Sequence, residues 1–259
     1  MKKIFYICVL LAGFVSLSAQ TAREIMDMSR ENSKLRGLEA VSTLIIRDDR
    51  GRERVRTTAM ASRIFGDGSE KRIIRFLEPP DVRGMGMLIF DHEEKEDDMW
   101  VYLPATRKSR RIVASEKSSS FMGSEFAKAD MSAPDPSDFT YSLLGEEEIG
   151  ERTCWKVQTR PVSREKEDEY GFLRKISWVE KSFAAVIRSE YYDFDDSLHK
   201  VLQVPDFDIV REDPPRYLIT KMQIRNLRNG RSSDMIMKRY DLNPEVPARF
   251  FTLSYLENP

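Results

Sequence analysis

Cysteine and histidine are almost missing from this chain, with two of each among 259 residues. Cys8 lies in the N-terminal apolar run, which leaves Cys154 alone in the rest, so no intramolecular disulfide can staple that part together. An apolar core must hold it, and about 240 residues can supply one, since chains of that size bury roughly 70–75% of their unfolded surface. Cys154 sits in Thr153-Cys154-Trp155-Lys156-Val157, a strand-like context that reads as a small buried hydrophobe. His92 and His199 stand in charged, turn-like surroundings and offer neither a partner for a thiol nucleophile nor a zinc-ligand spacing. A Gly-x-Ser-x-Gly elbow and a phosphate-binding glycine loop are also missing. The chain therefore reads as a binding protein and not an enzyme, with no cofactor and no metal expected. An excess of one charge is lacking too. The formal net charge is −1, which excludes the overall basicity of a nucleic-acid binder and the block charge of an acidic tail.

Long hydrophobic runs are limited to one, Ile4 to Phe14, too short to span a bilayer. Lys2 and Lys3 precede it, and Ser16-Leu17-Ser18-Ala19 follows with the small residues of a cleavage site. Residues 1–19 are thus expected to be a signal peptide cut between Ala19 and Gln20. Cys8 comes too early to be a lipoprotein anchor, so a soluble exported product is expected, with 20–259 as one domain.

What is present is mostly strand pattern. Gln20 to Arg36 is expected to be a helix, with Thr21 and Glu24 as a capping box and Gly37 as its stop. About eleven strands then follow: 41–47, 53–62, 71–77, 85–90, 99–103, 153–160, 172–179, 185–192, 200–204, 217–227 and 233–242. Asn229-Gly230 is the strongest hairpin signal, with the composition of a type I′ turn. The fold class is mainly β (α+β), a large antiparallel meander that must curl. Ser115 to Ser142 interrupts it, with a short helix expected over Asp135 to Leu144. An irregular segment of this length reads as a lid or binding loop.

Several apolar rows could face the inside of such a sheet. Phe172, Ile176 and Trp178 share one side of their strand, as do Met222 and Ile224, and Met85 and Met87. Trp100 and Tyr102 belong to a strand apolar on both faces, which must be covered on both. Phe121, Met122 and Phe126 form a second apolar knot in the interrupting segment. The chain carries twelve methionines, a side chain that adapts to ligands of variable shape. These rows suit either an apolar cavity or a filled core. After Pro104 comes a basic strip, Arg107, Lys108, Arg110 and Arg111, which reads either as a solvated face or as a contact for lipid headgroups or an acidic partner. Asp91 to Asp98 reads as a solvated turn, and Asp193 to Ser197 as a hairpin turn lacking the glycine and distal glutamate of a calcium loop.

Three blocks carry a family resemblance. They are Val82-Arg83-Gly84-Met85-Gly86-Met87-Leu88; Met99-Trp100-Val101-Tyr102-Leu103-Pro104 with Arg107 and Arg110-Arg111-Ile112; and Phe121-Met122-Gly123-Ser124-Glu125-Phe126 with Asp130. Together they resemble the outer-membrane lipoprotein-sorting, LolA-like proteins, in an uncharacterised branch. The resemblance implies a half-barrel with helices closing its mouth, whose apolar inside holds lipid or lipoprotein acyl chains in transit through the periplasm. It further implies an inner-membrane transporter, an outer-membrane acceptor and transient membrane contact, with no nucleic acid and no covalent catalysis. A periplasmic sensor that binds a protein partner on the same fold is the alternative.

Overall fold

The computed structural model describes residues 20–93, 95–243 and 245–258; the expected signal peptide, residues 1–19, lies outside them. Among these residues the α-helices are α1 (Ala22–Ser33), α2 (Ala114–Lys117), α3 (Arg164–Tyr170) and α4 (Leu253–Glu257). The first six strands are β1 (Gly37–Arg47), β2 (Glu53–Ile64), β3 (Glu70–Glu78), β4 (Gly86–Asp91), β5 (Asp98–Leu103) and β6 (Lys108–Arg111). The remainder are β7 (Phe139–Ile149), β8 (Arg152–Pro161), β9 (Arg174–Glu180), β10 (Val186–Tyr192), β11 (Leu198–Arg211), β12 (Arg216–Asn226) and β13 (Ser232–Asp241).

All thirteen strands form one open sheet in the order β6-β5-β4-β3-β2-β1-β13-β12-β11-β10-β9-β8-β7. Every pairing is antiparallel. Two meanders, β1 to β6 and β7 to β13, join where β1 pairs with β13. Register shifts interrupt β1, β7, β10 and β11, and such bulges bend a strand and strengthen its twist. The result is the curved half-barrel that the sequence resemblance implies. β6 and β7 are consecutive in the chain yet lie at opposite edges of the sheet. The segment between them must therefore cross the whole sheet, which explains why 112–138 runs over the concave face.

Period-two alternation divides the strands between two faces. On β1 the residues at 38, 40, 42, 44 and 46 are buried while the intervening ones are half exposed. On the opposite, convex face α4 and the turn Ala248–Phe251 cover a second cluster built on Ile73, Leu88, Phe251 and Leu256. Gly86 permits this approach, because a Cβ there would come within 2.7 Å of Leu256 Cδ1.

The helix α1 begins as its sequence dictates. Thr21 Oγ1 accepts from Glu24 N at 3.2 Å, and Thr21 N donates to Glu24 Oε2 at 2.8 Å. It ends at Lys34 instead of running to Arg36, because Gly37 and Leu38 are drawn into pairing with β2. The helix expected over Asp135 to Leu144 is a single 3-10 turn, Pro136–Asp138, after which pairing with β8 takes the chain as β7. Asn229 and Gly230 do lie in a hairpin, but only Gly230 has positive φ, at 68°. Asn229 instead accepts from Arg231 N through Oδ1 at 2.9 Å.

Candidate ligand cavity

Half of the concave face is filled and half is open. The crossing segment inserts Ile112, Phe121, Phe126 and Met131 against Leu44, Ile46, Phe76, Met87, Ile89 and Ile224, forming a packed plug. Polar groups fasten this plug to the wall. Arg56 donates to the Met122 carbonyl and Arg72 to the Met131 carbonyl. Glu125 is held from four sides: its N–H donates to Ser233 Oγ at 3.0 Å and its carbonyl accepts from Lys200 Nζ at 3.2 Å. Its carboxylate accepts from Asn226 Nδ2 at 2.9 Å and pairs with Arg231 at 3.0 Å. The Glu169 carboxylate pairs with Lys117 of α2 at 2.5 Å and with Lys166 at 2.9 Å, so α2 is tied to α3. Burial pushes the Glu169 pKa up, but the two ammonium groups hold it below the usual carboxylate range.

Beyond the plug lies a cavity of about 470 Å³. That is within the range of about 300–1,000 Å³ typical of small-molecule pockets. Its apolar wall is contributed by Leu38, Met60, Leu218, Met222, Met235 and Met237 from adjacent strands. The roof has two pieces. Met26, Ser29, Arg30 and Ser33 look down from α1, and residues 130–134 close in from the end of the plug.

The roof helix packs Ala22 and Ile25 against Val157, Val179 and Ala184, and polar contacts add to this. Tyr217 donates to the Ser29 carbonyl at 3.2 Å, and Asn32 Nδ2 donates to the Phe183 carbonyl at 2.8 Å. Arg216 pairs with Glu31 at 2.8 Å and Lys34 with Glu93 at 3.5 Å, both near the surface. Ala133 N donates to Asp91 Oδ1 at 3.2 Å. Asp91 is 4% exposed, and burial pushes its pKa up to about 7, against the opposing pull of Arg72 at 4.0 Å.

The far wall is polar. Lys175, Ser177, Ser189 and Tyr191 point inward from β9 and β10, and Asp130 faces them from the roof. The Ser177 and Ser189 hydroxyls lie 2.9 Å apart. Asp130 is exposed and Lys175 half-buried, and both line the cavity. Burial raises the Asp130 pKa, lowers that of Lys175, and lifts the Tyr191 phenol well above its usual range.

The apolar residues singled out from the sequence fall into three places. Phe121 and Met222 line the cavity. Met85, Met87, Met122, Phe126 and Ile224 belong to the plug and the wall it packs against. The others lie elsewhere. Trp100 and Tyr102 project to the convex face under the C-terminal segment, because Met99 and Val101 take the inward positions of β5. Ile176 and Trp178 also face outward. The pairing of Trp178 with Arg188 puts them on the side opposite Ser177 and Ser189, with Lys156 Nζ 4.8 Å and Arg188 5.1 Å from the Trp178 ring. Phe172 precedes β9 and stacks with Phe139 at 6.3 Å. Thus the shared side expected for Phe172, Ile176 and Trp178 does not form part of the cavity.

In the basic strip, Arg110 pairs with Glu116 at 2.7 Å and Arg111 pairs with Asp98. Arg107 and Lys108 are exposed at the sheet edge, and neither makes an ion pair with another described residue. Among the described residues, no group of three or more His, Cys, Asp or Glu is arranged to hold a metal ion. No helix among them is long and apolar enough to cross a membrane.

An open antiparallel half-barrel with a roofed cavity is the architecture of the LolA-like, lipoprotein-sorting fold, and solved structures agree. A domain described as an outer membrane lipoprotein-sorting protein from Vibrio parahaemolyticus superposes with a TM-score of 0.82 at 22% identity, covering 91% of this chain and 98% of that one. A DUF1329 family protein from Desulfovibrio piger gives 0.81 at 27% identity, covering 92% and 100%. A LolA superfamily protein from Nitrosomonas europaea gives 0.69 at 19% identity, covering 92% and 100%. No curated protein matches the chain in sequence. Residues 68–258 match the model of a family described as an uncharacterized protein, and the chain belongs to that family.

Proposed function

We propose that this protein is a periplasmic carrier that holds lipid, or the acyl chains of lipoproteins, for transfer towards the outer membrane, by binding and not by catalysis. One observation carries the reading: the cavity of about 470 Å³ on the concave face, with a methionine-rich wall and a roof of two separate pieces. Acyl chains cannot cross water exposed, at about 0.8 kcal/mol per methylene. A carrier needs an apolar wall that tolerates different chain shapes, and methionine supplies that. It also needs a roof that can part from the wall, and here the roof is built of two separate pieces, α1 and residues 130–134. The exposed Arg107 and Lys108 at the β6 edge suit contact with a membrane surface or a transporter during loading.

The test is extraction. Protein purified from its native envelope, denatured and analysed by lipid mass spectrometry, is expected to release lipid in stoichiometric amounts. A reproducibly lipid-free protein that also takes up no lipid from vesicles would overturn the proposal.

A further inference from the structure

Lys175 and Asp130 face the same cavity with opposite charges and do not close on each other. No carboxylate of a described residue comes within 4.0 Å of Lys175 Nζ. Each group is occupied otherwise. Asp130 Oδ2 accepts from Ala127 N at 2.7 Å, and Lys175 Nζ stands 5.5 and 5.7 Å from the Phe172 and Tyr191 ring centroids. An ammonium group partly withdrawn from bulk water is less favourable unless an anion meets it, and Lys175 is half-buried. The surroundings repeat the signal. Thr159, opposite Lys175 in the register of β8 and β9, keeps a buried hydroxyl with no hydrogen-bond partner among the described residues, behind the cavity lining. Tyr191, its neighbour on β10, turns its ring to the same pole. The wall formed by Met60, Met222, Met235 and Met237 carries no charge at all. Other charged groups, Arg30, Lys34, Arg72 and Lys221 among them, also line the cavity, but Lys175 is the one set beside Tyr191 with no carboxylate within ion-pair distance.

We infer that Lys175 is the anchor for the headgroup of the cargo, and that the cavity takes an amphiphile whose anionic oxygen group, carboxylate or phosphate, meets Lys175 Nζ beside Tyr191 while its chain lies along the methionines. This rests on the carrier reading and narrows its ligand class. The electrostatics are consistent with it: burial disfavours the ammonium when nothing is bound, and an arriving anion reverses that effect.

The test uses the full chain, stripped of lipid, and titration calorimetry with three probes of matched chain: oleate, lysophosphatidylglycerol and the neutral monoolein. Wild type is expected to bind at least one anionic probe about tenfold more tightly than monoolein, the size of one well-placed ionic contact. Lys175→Met keeps the length of the side chain and removes the charge. It is expected to lose that preference while holding monoolein within about threefold. Oleate against lysophosphatidylglycerol tells a carboxylate from a phosphate. Tyr191→Phe is the second variant, with a smaller loss expected for the anionic probes only. If Lys175→Met and Tyr191→Phe bind every probe as wild type does, the anchor is overturned and the carrier stands. Should wild type bind none of the three, the carrier reading falls and the anchor with it.

Discussion

The Tyr217 hydroxyl on β12 donates to the Ser29 carbonyl of α1 at 3.2 Å and lies 3.3 Å from Ser29 Oγ. This pair joins the roof helix to the wall of the cavity, and both of its side chains are buried. Tyr217→Phe keeps the ring and removes the link. A typical hydrogen bond contributes about 0.5–1.5 kcal/mol net, and about 1 kcal/mol corresponds to roughly 2–4 °C in Tm for a chain of this size. A drop of that order is expected by thermal denaturation, with faster release of bound lipid in stopped-flow measurements. An unchanged release rate would mean that α1 is not the moving part of the roof.

Asp91 gives the cavity a pH dependence. Burial raises its pKa to about 7, so the folded state retains a proton that the unfolded chain has lost above about pH 4. Stability from this group therefore falls as pH rises between those two values, and the full cost is present above pH 7. Asp91→Asn cannot ionise and still offers an oxygen to Ala133 N. Its Tm relative to wild type is expected to rise from pH 5 and to level off above about pH 7. A difference that stays constant across that range would show that Arg72 keeps the carboxylate charged throughout.

The two faces of the sheet can be separated by mutation. Leu256 is fully buried against Leu88 on the convex side. Leu256→Ala should cost about 2–5 kcal/mol through lost burial and the cavity left behind, read by denaturant unfolding. Lipid binding should be unchanged, because the residue never reaches the concave face. Met237→Trp works in the reverse sense. It fills the lane from inside and should lower lipid retention about tenfold or more, for an overpacking cost of about 1–3 kcal/mol transferred to the ligand. Stability should change little.

Arg107 and Lys108 offer a fourth prediction. Each basic residue near an anionic leaflet contributes about 1 kcal/mol, and salt at physiological strength screens such exposed charges within about 8 Å. The double variant Arg107→Glu with Lys108→Glu is expected to lose co-sedimentation with phosphatidylglycerol vesicles at low salt while retaining lipid uptake from detergent. Equal sedimentation would leave the strip as a solvated edge.

How far the sequence reaches can be judged from particular residues. The capping box at Thr21 and Glu24, eleven of the thirteen strands and the crossing segment were legible, because each depends on local pattern, whereas β6 read as a basic strip and β7 as part of the crossing segment. The alternation of β9 was legible as well, but its sign was not. Arg174, Ile176 and Trp178 share a side, and apolarity suggested that this side faces inward. It faces outward because Lys156 and Arg188 cover the indole ring, whereas Lys175 and Ser177 take the inner positions. A lysine next to an arginine reads as solvent-facing, so the polar pole of the cavity was missed for the same reason. Trp100 and Tyr102 followed suit. That their strand needs cover on both faces was readable; that the cover on their side is α4, some 150 residues later, depends on long-range contacts. β7 was hidden because its outer residues, such as Glu146 and Leu144, are exposed at an edge and show no buried row.

The plug has one further consequence. It stops the concave channel at Phe121 and Met131, so the open half has a fixed depth set by side chains and not by the length of the strands. A chain sliding in from the roofed end meets an aromatic floor. On the carrier reading, the cavity would then gauge its cargo as well as hold it, and whatever exceeded its depth would stay outside.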